Sequence, residues 1–258
     1  MNVLFLGDVV GKPGRELLAA KLSGFKRFKA IDFCVANGEN SADGDGVTEA
    51  SAEELFSAGV DVVTGGNHSF KHREAYSYLS EAPYLLRPAN YSAAAPGKGI
   101  CTFDMGRYAV AVINLAGAAF MDPCDNPMRT ADALLASLDP FAKAVIVDIH
   151  AEATAEKRAL AEYLDGRVSA VIGTHTHVQT ADEKILSGGT AFISDAGMCG
   201  PVDSVLGVRK EQAVERMLNR MPTRFTVAEG AAEMDGVIVR IDEKNGRAES
   251  IERVQLAD

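Results

Sequence analysis

A layered α/β fold is what this sequence predicts, on three observations. Apolar runs of strand length alternate with amphipathic stretches of helix length through the first half. Several of the apolar runs stop at glycine and are followed at once by acid, amide or imidazole groups. The C-terminal stretch from Arg224 to Gln255 instead alternates apolar and polar residues, the pattern of antiparallel sheet.

The elements follow in order. NVLFLGD is a buried strand, and PGRELLAAKLSGFKRF a helix whose Pro13 suits the first turn, where a missing N–H costs nothing. IDFCVAN is the second strand. TEASAEELFSAG is a helix with Thr48 placed to cap it and Gly59 to stop it. VDVVTGG is the third strand, and HREAYSYLSEA a short helix containing His72, expected on the surface. GICTFDMGRYAVAVINLAG gives two strands about a turn from Met105 to Arg107, and NPMRTADALLASL a helix. AKAVIVDIH, EATAEKRALAEYL and VSAVIGTH repeat strand, helix and strand, and GGTAFISDAG adds a further strand. The C-terminal stretch turns near Lys244 to Gly246. Neither a repeat nor a low-complexity linker interrupts the chain, so residues 1–258 are expected to form one domain.

Composition removes several function classes. With 47% hydrophobic residues the chain can bury a core, which excludes disorder. The formal charge of -10, from 36 acids against 26 bases, opposes a general nucleic-acid-backbone binder. A small anionic substrate stays possible where bound cations reset the local potential. The basic cluster Lys26, Arg27 and Lys29 is a solvated helix face. Cys34, Cys101, Cys124 and Cys199 form no CxxC pair and suit a reducing, cytoplasmic setting. MNVLFLGDVVG lacks a basic n-region and is broken by Asp8, so it is a strand and not a signal peptide. No apolar run reaches the length of a membrane span.

The chemistry collects where strands end. Asp8 closes the first strand; Glu39 and Asn40 follow the second; Asn67 and His68 follow the third. VIVDIH delivers Asp148 and His150, and GTHTH delivers His175 and His177. Ligands of α/β proteins gather at the carboxyl ends of parallel strands, so these segments aim at one edge. Singly, each group has a plainer role: Asn67 can cap a helix, GEN can be a turn, and one histidine can be a satisfied core residue. Three imidazoles from THTH and DIH beside carboxylates and amides, with no cysteine among them, fit a binuclear metal site. Glu39 can bridge two ions that share a hydroxide and clamp a phosphoryl oxygen. His68, at the rim, is placed to work on substrate. Asn90 and Asp195 are expected to seal loops or orient ligands. GDVVGKPG matches neither dinucleotide nor P-loop patterns, since Pro13 follows Lys12.

GDVVGKPGR, ANGENSADG, TGGNHSF, NLAGAAFMDPCDNP, DIHAEATAEK, GTHTHVQTAD and SDAGMCGPVDSVLG together resemble the YmdB-like calcineurin-type metallophosphoesterases, over Asn2 to about Ile241. The general superfamily opens with Asp-x-His; here Asp8-Val9-Val10 carries no histidine, a departure typical of this subfamily, in which Asn40 takes the place of the missing ligand. Lys71, in Ser69-Phe70-Lys71, and Cys199, in GMCG, are further departures, outside the ligand set, that are expected to bear on the substrate rim or product release. The resemblance implies a four-layer α-β-β-α sandwich with mixed sheets. It implies two divalent or mixed-valence ions, iron foremost, with manganese or zinc as alternatives. Asp8, Glu39, Asn40 and His177 would hold one ion, and Glu39, Asn67, His150 and His175 the other. His68 would be the proton donor. The implied reaction converts 2',3'-cyclic nucleotides to 3'-nucleotides by attack of a metal-held hydroxide, on a small cyclic nucleotide or an RNA-end phosphate, in a homo-oligomer. The residues leave two other functions open: a metal-dependent phosphomonoesterase, and a metal-bound regulatory protein with weak turnover.

Overall fold

Burial on both faces of the strands decides the stacking. The structure, a computed structural model, describes residues 1–257. In chain order, β1 (Asn2–Val9) leads through α1 (Gly11–Phe28) to β2 (Phe33–Asn37), then α2 (Glu49–Ala58), β3 (Val62–Thr64) and α3 (Ala75–Glu81). β4 (Ile100–Asp104) and β5 (Ala109–Ala116) make a hairpin, followed by α4 (Pro127–Ala136), β6 (Ala142–His150), α5 (Thr154–Leu164) and β7 (Ala170–Thr174). The chain ends with β8 (Lys184–Ile185), β9 (Ala191–Ile193), β10 (Met198–Pro201), α6 (Lys210–Asn219), β11 (Ala232–Ile241) and β12 (Ala248–Ala257).

Two six-stranded sheets result, with orders β12-β11-β10-β1-β2-β3 and β4-β5-β6-β7-β9-β8. Both are mixed: β1 runs parallel to β2 and β10 but antiparallel to β11, and β5, β6, β7 and β9 run parallel beside the antiparallel β4 and β8. Val3, Phe5, Val35, Val112, Ile146 and Ile172 fill the space between the sheets. Leu17, Leu18 and Leu22 of α1 and Leu55 of α2 cover the outer face of the first sheet, while Leu160, Ala161 and Leu164 of α5 cover that of the second. The layers are therefore α-β-β-α. No helix among the described residues is long and apolar enough to cross a membrane.

Local chemistry sets the helix ends. Thr48 Oγ1 accepts from Ser51 N at 3.2 Å while Ser51 Oγ accepts from Thr48 N at 3.0 Å, a reciprocal cap of α2 of the kind that stabilises by about 1 kcal/mol. Gly59 ends that helix at φ 109°, a conformation glycine adopts without a Cβ clash. Asn126 caps α4, with Pro127 at its first position.

Several expectations are corrected. Residues 71–74 form a turn before α3 and not helix, and His72 is half-buried with Nε2 2.8 Å from the Asp45 carbonyl oxygen. Arg224 to Glu229 is not strand; Val227 forms an isolated bridge with Val208, and hydrogen bonds from Arg209 N to the Thr226 carbonyl and from Ala228 N to the Gly207 carbonyl tie the segment down. β8, β10 and α6 went unforeseen. β10 has no alternation of its own and exists because β1 and β11 offer it paired edges. In α6 only Ala213 is buried, and Val214, Met217 and Leu218 are exposed, so no core-facing apolar stripe announced the helix.

Candidate metal centre

The carboxyl ends of β1, β2, β3, β6 and β7 meet at one edge of the sandwich. At β1 the register with β2 shifts between Leu6 and Asp8. Gly7 sits in that irregularity, where a Cβ would lie 2.0 Å from the Gly197 carbonyl oxygen, so only glycine allows the approach. Asp8 is thereby buried completely, and its Oδ2 accepts from His175 N at 2.9 Å. After β2, Glu39 is 1% exposed; its Oε2 accepts from His68 N at 2.9 Å, and its Oε1 lies 3.0 Å from His150 Nε2. Gly66 leaves the room these two groups occupy, since a Cβ there would fall 2.3 Å from Glu39 Oε2 and 2.4 Å from His150 Nε2.

The loop after β7 carries backbone strain. His175 and His177 have φ values of 96° and 61°, a region that costs a side-chain-bearing residue on the order of 1–3 kcal/mol. Asp195 holds the loop in place. Its Oδ2 accepts from Thr176 N at 3.0 Å and Thr176 Oγ1 at 2.6 Å, and pairs at 2.9 Å with the wholly buried Lys157. The expected loop-fastening role of Asp195 is thus seen, and Asn90 has a similar one, bonding Ala116 on both backbone groups.

Each of the three imidazoles has one nitrogen occupied by the protein. Thr174 Oγ1 donates its single proton to Asp148 Oδ1 at 2.7 Å and so accepts from His150 Nδ1 at 2.9 Å. His177 Nδ1 donates to the Leu206 carbonyl at 3.0 Å. His175 Nε2 donates to Glu152 Oε2 at 3.1 Å. The far nitrogens are therefore donors, and His150 Nε2, His177 Nε2 and His175 Nδ1 point inward, where each can offer a lone pair to a cation that displaces any proton it carries.

The inward groups crowd one another as acceptors. His150 Nε2 lies 3.0 Å from each of Glu39 Oε1, Asn67 Oδ1 and His175 Nδ1. Glu39, His150 and His175 each present a ligand atom within 4.8 Å of the others. These groups repel unless a positive centre lies among them, either the proton on His150 or a metal cation that displaces it, so the donor set fits a cation. Imidazole, carboxylate and amide oxygen without thiolate suit iron, manganese or zinc. Beside this nest Asp8 Oδ1 is 3.6 Å from His177 Nε2. There Asn40 turns its amide nitrogen inward, 3.2 Å from His177 Nε2, 3.3 Å from Glu39 Oε1 and 3.5 Å from Asp8 Oδ1. Asn40 Oδ1 faces out, 2.9 Å from His68 Nδ1. All eight site residues named from the sequence lie together.

Charge is matched within the cluster. Burial opposes ionisation of Asp8 and Glu39, but the histidines beside them, His177 for Asp8 and His150 for Glu39, hold both carboxyls below the usual range. His150 is pushed up to about 9: burial disfavours its charge, and the Glu39 carboxylate with its hydrogen bond, then Asp8, outweighs that. His175 is lowered by burial and by His150. Asp148, fully buried, rises to about 6 even though Thr64, Thr174 and Asn37 donate to it.

Sequence reasoning missed Thr174, Glu152 and the Leu206 carbonyl. An acid two residues after His150 was a usable signal for Glu152; a backbone carbonyl has none. Asp148 holds the His150 imidazole in place through the Thr174 hydroxyl and not directly.

The profile of the YmdB-like protein family matches residues 4–254. The chain belongs to the YmdB-like family of calcineurin-type metallophosphoesterases. It is 45% identical over 258 residues to the 2',3'-cyclic-nucleotide 2'-phosphodiesterase of Bacillus subtilis (strain 168), covering 100% of this chain and 98% of that protein. Among solved structures, a hypothetical protein from Thermus thermophilus superposes with a TM-score of 0.94 at 40% identity, all of both chains being covered. A Mycoplasma pneumoniae protein described as a novel phosphatase superposes with a TM-score of 0.94 at 31% identity, covering 100% of this chain and 93% of that one. Both solved proteins thus share the whole sandwich with this chain.

Proposed function

We propose that this metal-dependent phosphoesterase hydrolyses 2',3'-cyclic nucleotides to 3'-nucleotides at a two-ion centre. Asp8, Glu39, Asn40 and His177 would hold one ion; Glu39, Asn67, His150 and His175 the other. Iron is the proposed metal, with manganese and zinc as alternatives of similar ligand preference. The observation that carries the reading is the locking of the far nitrogen of these three imidazoles, which turns the other three nitrogens inward beside Asp8 and Glu39. The relationship to a named 2',3'-cyclic-nucleotide phosphodiesterase at 45% identity supports the substrate class.

When bound, the cations supply Lewis acidity to phosphoryl oxygens and an activated water near neutral pH. The remaining work falls to side chains. Asn40 must rotate its amide by half a turn to offer Oδ1, which brings Nδ2 toward His68. His68 is the general acid. Its backbone N–H is tied to Glu39 and its Nδ1 lies 2.9 Å from Asn40 Oδ1, an arrangement that leaves Nε2 free to meet substrate. As the water oxygen bonds to phosphorus and the bond from phosphorus to O2' breaks, the proton of His68 passes to O2'; the proton the water gives up passes to solvent, from which His68 is reprotonated. A cleft of about 840 Å³ above the centre, which includes Lys71 and Arg224 in its walls, admits a nucleotide.

A phosphomonoesterase is the second reading, because the same donors would serve a monoester and the Mycoplasma pneumoniae relative is described as a phosphatase. Freshly isolated protein should be analysed for metals and assayed on 2',3'-cyclic, 3',5'-cyclic and monoester phosphates with defined added ions. A clear preference for the first is expected; equal or faster monoester turnover would transfer the assignment to the second reading.

A further inference from the structure

We propose that the groove leaving the centre past Asn67 is the nucleobase subsite, with Tyr91 as the residue that receives the base; this rests on the cyclic-nucleotide reading above. The groove encloses about 870 Å³ and is lined by Asn67, Phe70, Lys71, Tyr91, Asp122 and Asp125, among others. Asn67 belongs both to the groove and to the proposed ion nest, and Lys71 lines both the groove and the cleft over the centre. A phosphate seated on the ions therefore has this groove beside it for its organic part.

Charge along the groove is graded. Lys71, the one cation among its lining residues, lies toward the centre, whereas Asp122 and Asp125 stand in the lining with carboxylates. Carboxylates repel a further phosphate and accept from N–H groups. That polarity suits an uncharged, donor-bearing base extending away from its own phosphate, and it opposes the next phosphate of a strand.

The apolar wall is rigid. Tyr76 meets Phe70 edge-on, with centroids 5.8 Å apart at 88°, and the Tyr76 hydroxyl donates to the Phe70 carbonyl at 2.9 Å. Phe70 and Tyr91 lie 6.2 Å apart at 41°, a separation that leaves no room for a third ring between them and so offers one stacking face. Asn90 pins the Tyr91 backbone from the next position through its bonds to Ala116 and Asp125. The Tyr91 hydroxyl has no hydrogen-bond partner among the described residues, and Tyr91 is half-buried. The phenol is therefore free to donate to a ligand lying in the groove. The chain has no tryptophan, so Phe70 and Tyr91 are as large a pair of rings as it can present.

The test compares Y91A and Y91F with the parent protein, all metal-loaded. Two cyclic diesters are assayed, 2',3'-cyclic AMP and glycerol 1,2-cyclic phosphate, which has the reacting ring and no base. Binding of 3'-AMP and of inorganic phosphate is measured by calorimetry. In Y91A the ratio of kcat/KM for the nucleotide over the glycerol ester should fall roughly 5- to 100-fold, the loss of one base–aromatic stack. The affinity of 3'-AMP relative to phosphate should fall by a similar factor, and Y91F should lose only part of either. Unchanged ratios in Y91A, or a parent protein that binds 3'-AMP no better than phosphate, would overturn the subsite. If Y91A does not fold, Y91L keeps the volume without the ring and replaces it. A parent protein that cleaves neither diester would sink the phosphodiesterase reading alone, because the binding arm still decides the groove.

Discussion

His150 Nε2 meets Glu39, Asn67 and His175 at 3.0 Å each, whereas on the other side of Glu39 His177 Nε2 stands 3.6 Å from Asp8 with an amide N–H between them. The first half of the centre is preorganised: its ligand atoms already converge, and the far nitrogens of its histidines are fixed by Thr174 and Glu152. The second half is satisfied internally by Asn40, which must surrender its contacts to Glu39, His177 and Asp8 before its oxygen can face inward. The contrast teaches that the Glu39, His150 and His175 cluster is set by the fold, whereas the second ion position proposed above would depend on the turning of an amide that also touches the proposed acid, His68.

Removing the shared group should collapse the distinction. Glu39→Gln is expected to empty both positions and lower hydrolysis by on the order of 10³-fold or more, read by elemental analysis beside rates. Retention of two ions per chain would show that Glu39 does not bridge. Next in size is His68→Asn, which should lower kcat by roughly 10²- to 10⁴-fold with metal content unchanged. Loss of an ion instead would assign His68 to the looser half as a ligand.

Thr174→Val acts on the preorganised half alone. It removes the hydroxyl that hands Asp148 a hydrogen bond and takes one from His150, so metal affinity there should fall about 10- to 100-fold, measured against a competing chelator. An equal fall at both positions would erase the proposed asymmetry. The stability cost of about 1–3 kcal/mol for leaving buried Asp148 short of a donor is read by denaturant titration.

The smallest effect is on pH dependence. The pKa of His150 rises on folding from 6.5 to about 9, so its stabilising effect is complete below about 6.5 and lost as pH climbs through about 9. His177, also raised, acts in the same direction. Asp8 and Glu39 are lowered, and their contribution is present above the ordinary carboxylate range and lost in acid, outside this window. Metal-free protein should therefore be less stable at pH 9.5 than at pH 6.5, while loaded protein, in which a cation replaces the His150 proton, should show a flatter profile and tighter metal binding as pH rises. A flat profile in the metal-free protein would mean that His150 does not carry that proton.

Much of this was legible in the chain. Glycine-flanked polar groups at the ends of apolar runs marked Asp8, Glu39, Asn40, Asn67, His68, His150, His175 and His177, because strand ends and tight turns are local chemistry. Thr48, Gly59 and Pro13 marked helix boundaries for the same reason. The helix α6 was illegible because almost none of it is buried, and periodicity reports burial. β10 was illegible because its partners, and not its own residues, make it a strand.

The sequence by itself determined the alternation of elements, the donor types and the segments that bear them, since each depends on neighbours along the chain. Only the tertiary structure decided which nitrogen of each imidazole faces inward. That choice rests on partners distant in sequence, Thr174 for His150 across 24 residues and the Leu206 carbonyl for His177 across 29. Pairing of β6 with β7 sets Thr174 beside His150, and such a register is a property of packed strands that no single segment contains.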